Sequence, residues 1–414
     1  MEAQVGIIGA GLAGLCCGLR LQEAGISFRI FEASDGVGGR ARTDIVDGFL
    51  LDRGFQVLLT AYPEAQRVLD YEALQLRSFE PGALVRCGGK FHRFVDPWRR
   101  PQHVLSAALS PVASLTDKLR VARLRQRVRQ GSLSAQMEQP ESSTLGLLQH
   151  EGMSPRIVDR FFRPFLGGVF LDRDLGTSSR MFSFVFRMFA EGDAVLPATG
   201  MGAMAQQLSS MLAGGSVLLN SPVDSVAEGE IRLASGACWS PDAIVLACEA
   251  PAAAALLGES IPTGGQGVTC FYYAADAPPI EEPILVLNGD SSGPINNLCV
   301  PSQVASQYAP AGQSLISATV VGVVEDQQAL EYDVRRQLRD WFGESVDGWR
   351  HLRSYRIPFA LPSQRPPALS PVAKPARRDD GVFVCGDYLD TASIQGAMVS
   401  GRRAADQMIA ALQS

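Results

Sequence analysis

The residues best suited to chemistry stand near the start of the chain. Gly9, Gly11 and Gly14 follow an apolar run, residues 5–8, at G-x-G-x-x-G spacing. A short, continuous apolar run fits a buried parallel strand. Gly9 allows a tight turn out of that strand. Gly11 has no side chain, so a pyrophosphate can approach the backbone. Gly14 lets the following helix pack closely. Leu12 and Ala13 open that helix, whose spacing runs to Ala24 and stops at Gly25. Its first N–H groups lie at the positive end of the helix, where phosphates bind. Glu32, with Ala33 next to it, ends a second strand 18 residues past Gly14. A carboxylate there accepts from adenosine ribose hydroxyls. Glycines also mark ordinary turns, but here strand, turn, helix, strand and acid occur in the order a dinucleotide requires.

Two further stretches extend this pattern. In Gly38-Gly39-Arg40-Ala41-Arg42-Thr43 the glycine pair lets backbone approach a ligand. The two arginines offer forked donors to phosphate. Residues 48–56 read as a strand followed by a D-x-G turn, Asp52-Arg53-Gly54, with Phe55 and Gln56 beyond it. At the far end, residues 381–387 read as strand and turn, closing on Gly386-Asp387. Ser393 then opens the last helix, with small residues at 393, 397, 400, 401 and 404. Such a helix can lie close to a ligand or another element. Asp387 would be poor beside bare phosphate, so it suits hydroxyl groups or fixes the turn.

Dinucleotide turn, ribose acid, GGR-x-x-T segment and D-x-G turn together resemble the flavin-containing amine oxidase superfamily. That group includes monoamine oxidases, protoporphyrinogen oxidases, phytoene and carotene desaturases, and carotenoid isomerases. The resemblance implies FAD as cofactor. It places Gly39 and Arg40 at the diphosphate and ribityl chain, with Gly54, Phe55 and Gln56 close by. It places the backbone of Val223 at the adenine. Gly386, Asp387, Ser393, Ile394 and Ala397 fall at the ring, where the positive helix end suits a reduced flavin. The hydride acceptor would be flavin N5, so no catalytic side chain is identified. Residues 4–60 and 381–405 carry most of the resemblance, and residues 216–250 carry less.

Two absences point to a branch. No lysine stands between Lys118 and Lys374, where many amine oxidases place one near the flavin. Ser393 occupies the aromatic position of the Y-x-E-G-A pattern that cages an amine. The resemblance therefore lies nearer the desaturase and isomerase branch, whose substrates are long and apolar. Eight of the 19 phenylalanines fall between Phe161 and Phe189, which reads mostly as core and in part as a lipophilic cavity. The expected activity is dehydrogenation or flavin-assisted isomerisation of a lipophilic isoprenoid or tetrapyrrole. An amine oxidase and a non-catalytic flavin scaffold are the rival readings.

The rest of the chain must position these groups. At 414 residues it is too long for one simple core. The expected class is α/β: a Rossmann-like FAD-binding domain of the glutathione-reductase type, with an interleaved α+β substrate domain. The first takes residues 1–80, 200–261 and 372–414; the second takes 81–199 and 262–371. A net charge of −6 gives no reason to expect nucleic acid. Eight cysteines without a CxxC fit a reducing compartment, and four histidines lack metal-ligand spacing. With no leader or membrane-length apolar run before or within the domains, a cytoplasmic protein is expected. Helices are expected over residues 62–76 and 103–130. The basic run Lys118, Arg120, Arg123, Arg125, Arg127 and Arg129 alternates with Val121, Leu124 and Val128. It reads as a solvated helix face packed on one side; the alternative is peripheral contact with anionic lipid.

Overall fold

Val5–Ile8 is buried throughout and forms the centre of a five-stranded parallel sheet. Phe28–Phe31 pairs on one side of it and Ala243–Leu246 on the other. Val217–Leu218 and Phe383–Val384 are the outer strands. Three distant stretches of chain therefore meet in one sheet. The computed structural model describes residues 4–95, 110–227, 229–258 and 264–412.

Alternation along the strands sorts the two faces. Val5, Ile7, Ile30 and Val245 join the large core that contains the helices Leu12–Glu23 and Ile394–Leu412. Ile8, Phe31, Ile244 and Leu246 face the other way, against Ile231, Val226 and Trp239. The last three belong to a three-stranded antiparallel sheet, Val223–Ala227, Glu230–Leu233 and Cys238–Trp239. The two long helices touch backbone to backbone. A Cβ on Gly401 would overlap the Ala13 carbonyl, so the last helix lies directly on the first.

A seven-stranded mixed sheet forms the second layer system. Its order is Arg350–Pro362, Gly265–Ala275, Ser314–Val321, Asn297–Cys299, Leu285–Asn288, Gly82–Cys87 and Lys90–Val95. All neighbours are antiparallel except Leu285–Asn288 with Gly82–Cys87. On one face Phe271, Tyr273 and Ile316 pack against Leu330, Val334, Leu338 and Trp341 of the helix Gln327–Phe342. On the other, Cys270, Tyr272 and Leu315 belong to the large core.

The phenylalanine-rich segment is mainly core. Phe162, Phe182 and Phe184 are buried, and Phe184 stacks on Tyr62 at 5.9 Å. Phe161, Phe165, Phe186 and Phe189 are partly buried around them. In the basic helix Leu115–Val128, Leu124 and Val128 are buried, while Leu115 and Leu119 are 67% and 70% exposed. Residues 103–109, expected to be helical, lie outside the described residues.

Where local structure departs from expectation, polar side chains explain it. Helix over residues 62–76 shrinks to Pro63–Val68. Asp70 Oδ1 accepts from the N–H groups of Glu72 and Ala73, a turn that competes with further helix. Past the basic helix a further short helix, Leu133–Met137, starts where Ser132 Oγ accepts from the Ala135 N–H.

Candidate functional site

The glycines of the first turn are required for different reasons. Gly9 has a φ of +107°, and a Cβ there would meet the Ala247 carbonyl. A Cβ on Gly14 would overlap the Gly9 carbonyl. Both are demanded by the protein itself. Gly11 is not: nothing described lies within 4 Å of its Cβ position. Its side-chain space is open, directly at the start of Leu12–Glu23. That helix has no side-chain cap, so the N–H groups of Leu12, Ala13 and Gly14 point out of the helix end. A glycine that the fold does not need, beside donors that the fold does not use, fits a phosphate group.

Glu32 stands at the edge of this opening. Its Oε2 accepts from the Ala10 N–H at 2.8 Å; its Oε1 accepts from the Ser34 N–H at 2.9 Å and the Ser34 hydroxyl at 2.6 Å. A carboxylate has about four acceptor sites, so these three bonds leave one. Ala33 next to it is exposed. The Ser221 N–H donates to the Glu32 carbonyl at 2.8 Å, which brings the chain leading into Val223 to the same edge. Val223 is half-buried and opens the next strand.

The GGR segment is tied to the first turn. The Gly38 N–H donates to the Ala10 carbonyl at 2.8 Å, and Gly39, at φ +58°, lies opposite the Gly11 Cα. Arg40 follows and acts as a clasp. Its Nη1 donates to the Ala360 carbonyl at 2.8 Å and its Nη2 to Asp387 Oδ1 at 2.7 Å. Its guanidinium also lies over the Phe359 ring at 5.9 Å. Two of five donors are used, so others remain for an anion. Burial pulls the Arg40 pKa down, but the Asp387 carboxylate outweighs this and holds it above its ordinary value. Glu249, at the end of the neighbouring strand connection, is raised by burial, with Arg40 opposing and Asp387 reinforcing the shift. Arg42, in contrast, is spent on its own loop, bonding Ser34 and Asp35.

The D-x-G turn supports the clasp. Gln56 Nε2 donates to the Arg40 carbonyl at 2.9 Å. Gly54, at φ +84°, passes close to Ile357, and Phe55 meets Phe79 edge-on. Asp52, which the sequence marked only as part of the turn, is the buried anchor beneath. It accepts from the Thr43 hydroxyl (2.5 Å), the Met201 N–H (2.8 Å) and the Tyr308 hydroxyl (2.8 Å). Burial pushes its pKa up to about 6, against those three donors.

The C-terminal group converges on the same place. The Gly386 N–H donates to Ser400 Oγ, which fixes the turn into Asp387. Ser393 caps the last helix: its Oγ accepts from the Gly396 N–H at 3.0 Å, and its carbonyl accepts from the Ala397 N–H. Ile394 and Ala397 are half-buried along the first turn of that helix. Beside this helix start is a narrow crevice of about 10 Å³, room for at most a single water, lined by Phe170, Thr177, Met181, Gln266, Leu361, Pro362, Gln364 and Ala392. Phe170 and Met181 belong to the segment read in part as lining a lipophilic cavity; the other lining residues were not singled out.

A parallel sheet ending in an uncapped glycine-rich helix start, with a second sheet closing over it, defines a protein built around a dinucleotide cofactor. The model of the flavin-containing amine oxidoreductase family matches residues 12–409. The chain is 27% identical over 444 residues to hydroxysqualene dehydroxylase of Sinorhizobium fredii, covering 98% of each. It is 26% identical over 165 residues to protoporphyrinogen oxidase 2 of Arabidopsis thaliana, covering 40% of this chain and 32% of that one. That second match therefore spans about a third of the relative's length. Cyclohexylamine oxidase from Brevibacterium oxydans shares the fold at a TM-score of 0.71, with 15% identity and full coverage of both chains.

The chain belongs to the flavin-containing amine oxidoreductase family. It is a flavin-dependent oxidoreductase and its cofactor is FAD. Among the described residues no group of His, Cys, Asp and Glu is placed to hold a metal. Among the same residues no helix is long and apolar enough to cross a membrane.

Proposed function

We propose that this protein exchanges hydride between FAD and a neutral, lipophilic isoprenoid. What supports this reading is the likeness to a hydroxysqualene dehydroxylase over 98% of each chain, together with serine at position 393 and the lack of any lysine between Lys118 and Lys374.

In this proposal the N–H groups of Leu12, Ala13 and Gly14 take the diphosphate, with Arg40 adding charge from Gly39's side. Glu32 takes a ribose hydroxyl, and the backbone at Val223 lies along the adenine. Asp387 and the helix start at Ser393, Ile394 and Ala397 face the ring end. FAD supplies the hydride acceptor or donor; the chain supplies binding, orientation and exclusion of water. The division into an FAD domain (1–80, 200–261, 372–414) and a substrate domain (81–199, 262–371) is part of the same proposal. Its support is that the parallel sheet draws strands only from the first set and the seven-stranded sheet only from the second.

Purified protein should be yellow with bound FAD. Mixed anaerobically with amines, polyisoprenoids and porphyrinogens, in oxidised and pre-reduced form, it should show flavin turnover or product only with the polyisoprenoids. Bleaching by a simple amine would reverse the choice of substrate. A reducible flavin that responds to no compound in either redox state would favour the scaffold reading. The proposal also includes peripheral contact with an anionic membrane through exposed Leu115 and Leu119 and neighbouring Arg123. Co-sedimentation with anionic vesicles, lost at high salt, is the expected result; no sedimentation at low salt would remove this part.

A further inference from the structure

The chain between Gly386 and the last helix is held at both ends from one strand exit. Along the strand Arg350–Pro362 the register slips: Gln266 sits opposite Leu361, but Val268 sits opposite Ile357. Residues 358–360 therefore face Gly267 alone, and the ladder bulges. At this bulge the Ala360 carbonyl accepts from Arg40, which also holds Asp387. Four residues on, Gln364 reaches the other end of the same connection. Its Nε2 donates to the Asp390 carbonyl at 2.6 Å, and its Oε1 accepts from the Ala392 N–H at 2.9 Å. Its own carbonyl accepts at 2.8 Å from the N–H of Ser178, which precedes the phenylalanine-rich helix Ser179–Glu191. The residue is 4% exposed. A carboxamide offers the neutral donor and acceptor, side by side, that a carbonyl and an N–H two residues apart require.

Other groups of this turn are taken as well. Asp390 Oδ1 accepts from the Thr391 N–H at 2.8 Å, and its Oδ2 accepts from Arg403 Nη1 at 2.7 Å. Arg403 Nη2 donates to the Leu389 carbonyl at 2.9 Å, and the Ser393 N–H donates to the Thr391 carbonyl at 2.7 Å. Beyond Ser393 the pattern changes. The Gly396 N–H is capped by the Ser393 hydroxyl, and the Ala397 N–H bonds the Ser393 carbonyl. Among the described residues, the N–H groups of Ile394 and Gln395 have no acceptor. A tied turn thus ends in two free donors at the positive end of a 19-residue helix. Their direction follows from the turn, and Gln364 fixes the turn.

We propose that Gln364 is a positioning residue that raises the reduction potential of the bound flavin by fixing the direction of these two N–H groups. This rests on the reading that places the ring end of FAD at Ser393, Ile394 and Ala397. Hydride transfer adds one negative charge to the ring, so donors held toward it favour the reduced over the oxidised form. Donors fixed before that charge arrives need no reorganisation when it does.

The test is the midpoint potential of the FAD-loaded protein, read from the flavin absorption spectrum during anaerobic titration with dithionite beside a reference dye. Gln364→Met keeps the length of the side chain and removes both of its bonds. It should reduce the preference for reduced over oxidised FAD by about three- to tenfold, which lowers a two-electron potential by about 15–30 mV. Gln364→Asn, too short to span both partners, should move the potential the same way if the methionine variant does not fold. Ile394→Pro removes one free donor directly, at a helix position that accepts proline, and should also lower the potential. A Gln364 variant that loses stability or FAD content but keeps the native potential, while Ile394→Pro shifts it, would overturn the role of Gln364 and leave the ring placement standing. An unchanged potential in Ile394→Pro would remove the ring placement, and this inference with it.

Discussion

Arg40→Met should yield protein with little bound FAD and a native state weaker by about 2 kcal/mol, measured by urea unfolding after FAD is removed. Breaking a fully buried ion pair costs roughly 3–5 kcal/mol, because one charge stays behind. Here the Asp387 side chain is 5% exposed but Arg40 is 31% exposed, so solvent screening reduces the figure. The loss has three parts. Asp387 keeps a buried charge without its partner. The Ala360 carbonyl loses its donor. Glu249 and Asp387 then face each other without the cation between them. The double variant Arg40→Met with Asp387→Asn removes the stranded charge and should recover about half of the lost stability. FAD content would not recover, since the spare guanidinium donors are gone in both. Equal destabilisation in single and double variants would show that the pair does not act as a clasp.

The clasp also shows what could be read from the sequence and what could not. The first turn was legible because its requirements are local. Strand, glycines, helix and acid lie within about thirty residues, and each glycine has its own steric or ligand reason. Arg40 and Asp387 were both marked as site residues, but their bond spans 347 positions. Nothing in the spacing of either motif announces it. Asp52 shows the same limit: its Thr43 partner is 9 residues away, but Met201 and Tyr308 are 149 and 256 away. The register slip opposite Gly267 was hidden for a different reason, since only strand pairing reveals it. Pro358 inside an otherwise regular strand run was the available sign, since proline there indicates an edge or a bulge. The shortened helix at Pro63–Val68 was likewise foreshadowed by Asp70, whose side chain can end a helix.

The second large effect concerns pH, and it is carried by Asp52. The carboxyl is 4% exposed and faces Thr43, the Met201 N–H and the hydroxyl of Tyr308; the Tyr272 hydroxyl donates to its backbone carbonyl. No cation pairs with it among the described residues. Burial raises its pKa from 3.8 to about 6. The folded state therefore binds this proton more tightly than the unfolded chain. The stability it contributes is complete below about pH 4 and is lost as pH rises through about 6. A shift of this size is worth on the order of 3 kcal/mol. Asp52→Asn cannot ionise. Its amide oxygen can still accept from Thr43 or Met201, and its amide nitrogen can donate to the Tyr308 oxygen. The difference in unfolding free energy between native and variant proteins cancels other titrations that both share. Native protein should lose about 2–3 kcal/mol against the variant between about pH 4 and about pH 7. Parallel curves across that range would mean that Asp52 titrates at an ordinary value and that its three donors, not burial, control it. The consequence reaches the site through a short path. Asp52 anchors the turn that carries Gln56, and Gln56 holds the backbone of Arg40. A carboxylate that favours its protonated form in the fold thus places the clasp on its weakest footing in the alkaline half of the range.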